Sequence, residues 1–491
     1  MTPNLKVVLA LAGCLAAGPA VAADPFFPSF GNKGYDVLNY DLDLDVAPAA
    51  NNLDGRAELT IRAHQRLGSF RLDLAGLKVS AVSVDGKRAG FSQKGEKLTI
   101  VPPKPIAKGA KFTVFIVYAG KPTPIQDPTA PDDPDVTLGW FHYKRGTYVV
   151  SEPVGASTFF PANDELTDKA TYKFTVTVPK GYAGVANGLL TKTEAVGNKL
   201  RFTWRMRQPM TTWLATVHVN KFKVSTARTA SGTPLRVYTT DKTPKADIAG
   251  YLDAKKMLTY FEGLVGKYPF ESYGSVVVDD PILYYALETQ TMSTFPLGAA
   301  DAGVVAHELA HQWFGDSVSV SRWKDLWLAE GFATYFEVLW PNRNDPAGFD
   351  ADMTEIYDYV VQEKIGPAVV ETPEELFSDR TYLRGGSALY ALQLKVGDKT
   401  FMKIMRTWAT KFRYHKVSST DFVDTAVEVS GDKSVRRLLN AWLYEAAVPD
   451  LPGREKSARK TQVARPDLVG LRCGHGAHRG GPRTCAEPAA R

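Results

Sequence analysis

Two histidines, two glutamates and their spacing form the strongest chemical pattern in this 491-residue sequence. His307 and His311 lie four positions apart, which on a helix places both imidazoles on one face, one turn apart. Two neutral imidazoles in that arrangement can bind one zinc ion, and Glu330, on a following helical stretch, can supply a third ligand. Two histidines and a carboxylate leave a position open for water, which is typical of catalytic zinc sites. Glu308 lies between the histidines and leans towards the same metal.

A second interpretation of these residues is an amphipathic core helix with two ordinary histidines. The chain has only eight His, so chance produces this histidine pair with both glutamates on the order of 0.001–0.002 times in a chain of this composition, which makes the motif specific. Burying these groups without a metal would also leave polar atoms to satisfy, at a cost of a few kcal/mol. The metal site is therefore the preferred interpretation.

The segments around these residues resemble one known enzyme family. The run His307–Asp316 reads His-Glu-Leu-Ala-His-Gln-Trp-Phe-Gly-Asp, and Glu330 follows in Leu-Trp-Leu-Ala-Glu-Gly-Phe-Ala. This pattern is similar to the zinc aminopeptidases of the alanyl and leucyl aminopeptidase and leukotriene hydrolase type. The resemblance implies that His307, His311 and Glu330 hold one zinc ion and that Glu308 is the general base.

Residues 284–290 read Tyr-Tyr-Ala-Leu-Glu-Thr-Gln and resemble part of the family's exopeptidase motif, Gly-Ala-Met-Glu-Asn. The resemblance implies that Glu288 binds the free α-amine of the substrate and that Ala286 belongs to the same subsite. Tyr285 replaces the motif's Gly, and Leu and Thr replace its Met and Asn. Apart from the family, a carboxylate in a dry cleft recognises an ammonium through charge-assisted hydrogen bonds. An ordinary glutamate on an edge strand is the alternative.

A second substrate-binding glutamate is expected in the first half of the chain. Residues 151–165, followed by Lys169 and Ala170, resemble the signature of the family's N-terminal domain. The resemblance implies that Glu152 reaches into the active site and helps to hold the substrate's amino group. The family often has Gln at the position of Val150. A solvated turn glutamate is the alternative for Glu152.

One tyrosine is expected to act on the transition state. Residues 381–389 resemble a family stretch, Ser-Tyr-Ser-Lys-Gly-Ala-Ser, whose tyrosine donates its hydroxyl to the oxyanion of the tetrahedral intermediate. The resemblance assigns that role to Tyr382. A packed core tyrosine is the alternative.

Hydrophobic periodicity divides the chain into a β-rich part and a helical part. Residues 40–46 alternate strictly between polar and apolar, as a half-buried strand does, and similar runs occur at 112–118 and 172–178. We expect an antiparallel β domain with one packed face over residues 23–233. The resemblance implies a thermolysin-like, mainly helical zinc-peptidase domain over residues 234–452, hence a multidomain α+β protein. The large C-terminal helical domain of many family members is not expected.

The first 22 residues have the pattern of an export signal. An apolar stretch at 7–18 is too short to span a bilayer, and Ala20-Val21-Ala22 fits a small-residue cleavage site. Lipoprotein processing at Cys14, in Leu-Ala-Gly-Cys, is the alternative. Either route predicts an exported protein, periplasmic or secreted. No other stretch reaches eighteen apolar residues, so no transmembrane segment is expected.

The formal charge of +6 is concentrated in the C-terminal tail, because residues 453–491 hold nine Lys or Arg against three Asp or Glu. The rest of the chain is nearly neutral, which argues against a nucleic-acid partner. The tail is rich in Arg, Gly and Pro without periodicity, so we expect it to be disordered. Cys473 and Cys485 could pair in an oxidising compartment, whereas their spacing with His475 and His478 is not that of a zinc finger.

These observations predict a zinc-dependent aminopeptidase that hydrolyses the N-terminal residue from peptides with a free N-terminus. A zinc endopeptidase of the same fold remains open, if Glu288 does not bind the amine. A non-catalytic peptide-binding module that keeps the fold is a third possibility. An epoxide hydrolase like the leukotriene enzyme is a more distant one.

Overall fold

The computed structural model describes residues 24–454, which form a β-rich N-terminal part and a mainly helical C-terminal part. In chain order the strands are β1 (Tyr35–Ala47), β2 (Asn52–Ala63), β3 (Phe70–Asp73), β4 (Lys78–Val84), β5 (Lys87–Arg88), β6 (Gly90–Lys94), β7 (Lys97–Val101), β8 (Lys111–Gly120), β9 (Ile125–Gln126), β10 (Thr137–Tyr143), β11 (Gly146–Val150), β12 (Ala170–Pro179), β13 (Ala183–Ala186), β14 (Leu189–Val196), β15 (Lys199–Met210), β16 (Val217–Asn220), β17 (Lys223–Arg228), β18 (Pro234–Thr239), β19 (Tyr273–Val278), β20 (Ser293–Pro296), β21 (Ser319–Val320) and β22 (Lys416–Val417). The helices are α1 (Lys245–Val265), α2 (Ala302–His311), α3 (Trp327–Leu339), α4 (Pro346–Gln362), α5 (Gly385–Val396), α6 (Asp398–Lys411), α7 (Ser419–Ser430) and α8 (Ser434–Tyr444).

An eight-stranded sheet, in the order β14-β15-β12-β1-β2-β8-β4-β5, is the largest element of the N-terminal part. Its long strands alternate between buried and accessible residues because one face packs on the core and the other faces water. Strands β1 and β12 run parallel, with Tyr40 opposite Tyr172, whereas the other pairs of this sheet are antiparallel. The antiparallel prediction is therefore wrong at this pair, because side chains alternate in the same way along parallel and antiparallel strands.

Two smaller sheets complete the β domain, and one of them leads to the site. In the five-stranded sheet β13-β16-β11-β10-β9, strand β11 ends at Val150, two residues before Glu152. All five residues of β11 are buried. The chain that follows this strand is therefore held against the interior rather than exposed in a surface turn.

The C-terminal part combines the four-stranded sheet β17-β18-β19-β20 with the eight helices. Helices α2, α3 and α5 lie at its centre, and nearly all residues of α2 and α3 are buried. A helix that is apolar on all sides must be enclosed by other elements. The polar residues that these helices do carry are therefore placed inside the protein.

The boundary predicted between residues 233 and 234 falls inside a hairpin. Strand β17 pairs antiparallel with β18, which in turn pairs parallel with β19 of the same sheet. Both strands of the hairpin thus belong to the four-stranded sheet of the C-terminal part. Local alternation marks β17 as a strand but does not say which sheet it joins.

The order of a β-rich domain and a mainly helical domain confirms the predicted fold class. Between residues 24 and 454, none of the helices is both long and apolar enough to cross a bilayer. The predicted export signal, with Cys14, and the tail residues from 455 onward, with both remaining cysteines, lie outside the described residues.

Candidate active site

Three candidate zinc ligands converge between helices α2 and α3. Helix α2 begins after Asp301, whose side chain accepts a hydrogen bond from the Gly303 amide and caps the helix. Its last turns carry His307 and His311 on one face, and the first turn of α3 carries Glu330. The Nε2 atoms of His307 and His311 lie 3.3 and 3.4 Å from Oε2 of Glu330.

These separations fit a tetrahedral zinc ion. Ligand atoms that are each about 2.0–2.1 Å from such an ion lie about 3.3–3.4 Å apart. The three donor atoms of the cluster all lie within 4.8 Å of one another, and the three side chains are buried. Two imidazole nitrogens and one carboxylate oxygen are also the donor set of a catalytic zinc site. The residues present therefore fit the predicted metal.

Each histidine ring is oriented by a hydrogen bond on the side away from this cluster. Nδ1 of His307 donates to Oε2 of Glu337 at 2.9 Å, and Nδ1 of His311 donates to the carbonyl of Phe314 at 3.1 Å. In their neutral form, both rings thereby carry the proton on Nδ1 and leave Nε2 able to bind a metal. Against the effect of burial, the carboxylates around them raise the pKa of both histidines, so a metal ion competes with a proton for Nε2. Glu337 is not among the residues predicted from the sequence. Its signal there is its place two helical turns after Glu330, on the same face of α3.

The turn that follows α2 depends on a glycine. Gly315 has a φ of +127°, in the region that favours glycine. A Cβ at this position would meet Nδ1 of His311 at 3.2 Å. Gly315 therefore lets the backbone carry the Phe314 carbonyl close to the ring of His311.

Two neighbouring glutamates of the site differ in their affinity for a proton. Burial raises the pKa of Glu308 to about 8, although His307 and His311 oppose the rise. Burial acts on Glu330 too, but the same two histidines outweigh it and hold the pKa of Glu330 at about 2. Glu330 is thus suited to be a permanently ionised ligand. Glu308 can gain and lose a proton near neutral pH, as a general base requires.

Glu152 and Glu288, from different domains, meet beside the ligand cluster. Oxygen atoms of Glu152, Glu288 and Glu330 lie within 4.8 Å of one another, and the first two side chains are only 1% and 2% exposed. Burial raises the pKa of Glu152 and of Glu288, and the charge of Glu288 raises that of Glu152 further. Neither residue has the exposure of a solvated surface glutamate. Carboxylates crowded in this way are stabilised by a cation placed between them.

Ala286 and Glu288 lie on a segment that extends the edge of the four-stranded sheet. Leu287 exchanges two hydrogen bonds with Thr294 of β20, at 2.9 and 2.8 Å. The backbone groups of Ala286 and Glu288 consequently face away from β20. The Glu288 carbonyl accepts a hydrogen bond from Nε2 of Gln312 at 2.9 Å. Gln312 is also absent from the sequence prediction, and its only signal there is that it follows His311.

Tyr382 lies against the first histidine. Its ring is nearly parallel to that of His307, at an interplanar angle of 18° with centroids 6.1 Å apart. The residue is 3% exposed and sits in a π-helical turn, Arg380–Arg384, that leads directly into α5. Burial raises the pKa of Tyr382, and the charge of Glu330 raises it further. The phenol therefore keeps its proton and is available as a hydrogen-bond donor.

The predicted ligands, the other predicted glutamates and Tyr382 thus lie in one buried region at the junction of the two domains. Ala286 is buried two residues before Glu288 on the same segment. The sequence matches two family descriptions, the Peptidase M1 N-terminal domain over residues 37–214 and the Peptidase family M1 domain over residues 252–442. These ranges correspond to the β domain and to the helical domain that carries the ligand cluster.

Among curated proteins, similar sequences include glutamyl aminopeptidase of Mus musculus and aminopeptidase M1 of Arabidopsis thaliana. The first is 30% identical over 338 residues, which are 63% of this chain and 36% of that protein. The second is 28% identical over 335 residues, which are 63% of this chain and 38% of that protein. The chain therefore spans little more than a third of the length of these relatives.

Solved structures give a fuller match. An M1 zinc metallopeptidase mutant from Deinococcus radiodurans, bound to a Tyr-Ser-Ala substrate, superposes with a TM-score of 0.80 at 32% identity, covering 87% of this chain and 98% of that one. A two-domain M1 zinc metallopeptidase mutant bound to L-arginine matches at a TM-score of 0.79 and 32% identity, with the same coverage. Given these matches and the ligand cluster between α2 and α3, the chain belongs to peptidase family M1, the family of these zinc metallopeptidases.

Proposed function

We propose that this protein is a zinc-dependent aminopeptidase with one zinc ion per chain. The observation that carries the proposal is the meeting of Glu152 and Glu288 with the ligand Glu330 within 4.8 Å. A peptide residue spans at most about 3.3–3.6 Å. An α-ammonium held by Glu152 and Glu288 therefore leaves only the first peptide bond within reach of the metal position. This geometry favours removal of single residues from a free N-terminus.

The residues of the site divide the chemistry between them. When bound to His307, His311 and Glu330, zinc supplies Lewis acidity, which lowers the pKa of water and polarises the scissile carbonyl. Glu308 accepts a proton from the attacking water and delivers it to the leaving amine. Tyr382 donates its O–H to the oxyanion that develops on the carbonyl oxygen.

The names of similar proteins support an exopeptidase. The curated relatives are called aminopeptidases, and the solved neighbours have a short peptide or single amino acids bound. We extend from them only the coarse substrate class, peptides with a free N-terminus. The buried carboxylate pair gives that class a physical basis in this chain, since an ammonium pairs with carboxylates through charge-assisted hydrogen bonds.

The test of this function is a double cycle of enzyme and substrate. Acetylation of the N-terminus removes the ammonium and leaves Glu288 facing an amide, so kcat/KM should fall at least about 10–100-fold. Glu288→Ala should lose a similar factor on free peptides and little more on acetylated peptides, because the partner is already absent. Coumarin amides of single residues and matched acetylated peptides provide the readout. Glu355→Ala, at an exposed position of α4, is the matched control and should behave like the wild type.

The same experiment separates the two other functions. If the wild type and Glu288→Ala cleave free and acetylated peptides equally, Glu288 is not the anchor and a zinc endopeptidase becomes the better explanation. If the zinc-loaded protein binds peptides without hydrolysing them, the peptide-binding module is favoured instead.

We also propose that the protein is exported. The support is the apolar stretch before Ala20-Val21-Ala22, which has the features of a cleaved signal. The mass of the protein recovered from cells should correspond to a start near residue 23. A lipid-modified Cys14 would favour the lipoprotein route, and an intact Met1 on the cellular protein would contradict export by cleavage.

A further inference from the structure

A lysine of the β domain contacts the turn that orients one zinc ligand. Lys169 lies just before β12 and reaches into the catalytic domain, where its Nζ donates to the carbonyls of Asp316 and Ser317 at 3.0 and 3.1 Å. Both carbonyls belong to the turn that follows α2. The side chain is half-buried in the interface between the domains.

This turn is connected to His311 at two points. The Asp316 amide donates to the His311 carbonyl at 3.0 Å, and the Phe314 carbonyl accepts from Nδ1 of His311 at 3.1 Å. Within the turn, the Gly315 amide donates to the carbonyl of Val318 at 2.9 Å. A displacement of residues 316 and 317 would therefore move the carbonyl that fixes the ring of His311. Hydrogen bonds of this kind to a metal-binding histidine typically change metal affinity by about 10–100-fold.

We propose that Lys169 is a positioning residue for zinc, which acts through the turn 314–318 by holding the Phe314 carbonyl against His311. The β domain thereby sets how tightly the catalytic domain holds its metal. The inference rests on the proposed function, because it requires zinc at His307, His311 and Glu330.

The sign of the effect distinguishes positioning from simple electrostatics. Lys169 lies near a group of buried carboxylates. Burial lowers the pKa of Lys169 to about 7, against the charge of Asp316, and the protonated amine opposes the rise that burial and Glu288 produce in the pKa of Asp316. Removal of a positive charge close to a bound cation would, through charge alone, strengthen zinc binding. Loss of the orienting contact weakens zinc binding. Lys169→Met should therefore lower the affinity if positioning dominates and raise it if charge dominates.

The chain offers a matched control at the same interface. Lys416, in β22, reaches in the opposite direction and donates to the Thr167 carbonyl at 2.7 Å. Like Lys169 it joins the two domains through a backbone carbonyl, but that carbonyl is in the β domain and not in the turn. Lys416→Met removes an interdomain lysine contact while leaving the contacts of the turn in place.

The experiment measures zinc affinity of the full chain by competition with a chromogenic chelator. The metal-free protein is titrated with zinc salt, and melting of each metal-free variant is recorded separately to verify folding. Lys169→Met should bind zinc about ten-fold more weakly than the wild type, as expected for the lost support of a ligand. Lys169→Arg keeps the donors and should stay within about three-fold, and Lys416→Met within about two-fold. Should Lys169→Met fail to fold, Lys169→Gln replaces it with the same expected direction.

Equal or tighter zinc binding by the Lys169 variant would overturn the inference. An equal loss in Lys416→Met would also overturn it, because general weakening of the interface would then explain the result. A wild-type protein that binds no zinc would instead contradict the proposed function itself, so the two failures are distinguishable.

Discussion

Identical side chains perform different tasks in this site because their surroundings differ. Glu330 faces two histidines and has a pKa of about 2, whereas burial raises the pKa of Glu308 to about 8. Glu337 contacts a ring nitrogen of His307 rather than the metal position. The chemistry of each carboxylate thus follows from the atoms around it and not from its type.

Glu308→Gln tests the general base. Glu308 is not one of the three proposed ligands His307, His311 and Glu330, so the variant should retain zinc at the wild-type stoichiometry. An amide cannot accept the proton of the attacking water, so kcat should fall by about 10²–10⁴-fold or more. Metal analysis and peptide hydrolysis on the same sample provide the two readouts. Retained turnover would exclude Glu308 as the base.

Tyr382→Phe tests transition-state stabilisation. The phenol oxygen is needed only when the carbonyl oxygen acquires charge, so kcat should fall by about 10²–10³-fold while KM stays within a few-fold. The phenyl ring can still stack against His307, which limits structural disturbance. Steady-state kinetics on one peptide amide suffices. A higher KM with an unchanged kcat would instead make Tyr382 a substrate-binding residue.

At the scale of elements, two helices approach closely enough to place Tyr382 beside the ligands. A Cβ on Gly331 of α3 would meet the carbonyl carbon and Cα of Gly385 at 2.7 and 2.8 Å. Gly385 begins α5, immediately after the turn that carries Tyr382. Glu330 and Tyr382 can lie together because neither helix has a side chain at this contact.

Gly331→Ala should therefore destabilise the protein and reduce its activity. The added methyl group meets backbone atoms, and overpacking of this kind typically costs about 1–3 kcal/mol. Gly263, in α1, has open space around it, so Gly263→Ala should stabilise by up to about 1 kcal/mol through its helix propensity. Thermal melting of both variants tests whether stability falls in Gly331→Ala and rises in Gly263→Ala, and kcat is measured on the same samples. Equal melting temperatures would show that the contact between α3 and α5 adjusts without cost.

At the scale of the whole molecule, the site is formed by two domains whose sheets and helices are separate. Glu152 follows a strand of the β domain, whereas the ligands come from α2 and α3. The Deinococcus neighbours are matched over 98–99% of their length, so this pair of domains also makes up those solved chains. Stability of the β domain is accordingly a condition for a complete site.

A buried aspartate should make that stability depend on pH. Asp164 is 4% exposed, accepts a hydrogen bond from the Thr212 hydroxyl at 2.7 Å, and burial raises its pKa to about 7. In the unfolded chain, the carboxyl group of Asp164 ionises near pH 4. Below that pH, Asp164 is protonated in both the folded and the unfolded state, and its contribution to stability is fully present. As pH rises from about 4 to 7, the unfolded state releases its proton first and the stability falls, by an amount on the order of 2–4 kcal/mol.

Asp164→Asn replaces the titratable carboxyl group by an amide and should remove the pH dependence of stability that its ionisation causes. Relative to the wild type, the variant should become more stable as pH rises from about 4 to 7, with no further change above pH 7. Thermal melting at a series of pH values measures the difference. Asp135→Asn, at an exposed loop position, is the control and should show no such trend. A constant difference between Asp164→Asn and the wild type would contradict a raised pKa.

The ligand cluster was predictable from the sequence because helix geometry is local. Residues four positions apart on a helix lie on the same face, which brings His307 and His311 together. Glu330 and Glu337, seven positions apart, share a face of the next helix because two turns separate them. The alternation in β1 and β2 likewise indicates strands with one buried face. The resemblance to the aminopeptidase family then added the roles of Glu308 and Tyr382, which local geometry alone does not assign.

The sheet partners were decided by the tertiary structure. The parallel pairing of β1 with β12 and the placement of β17 beside β18 depend on which backbone groups meet, and side-chain alternation contains no information on that choice. The same holds for the approach of Glu152 to Glu288 and of Lys169 to the turn after α2. These residues come from different domains, and only the packing of one domain on the other fixes the distances between them.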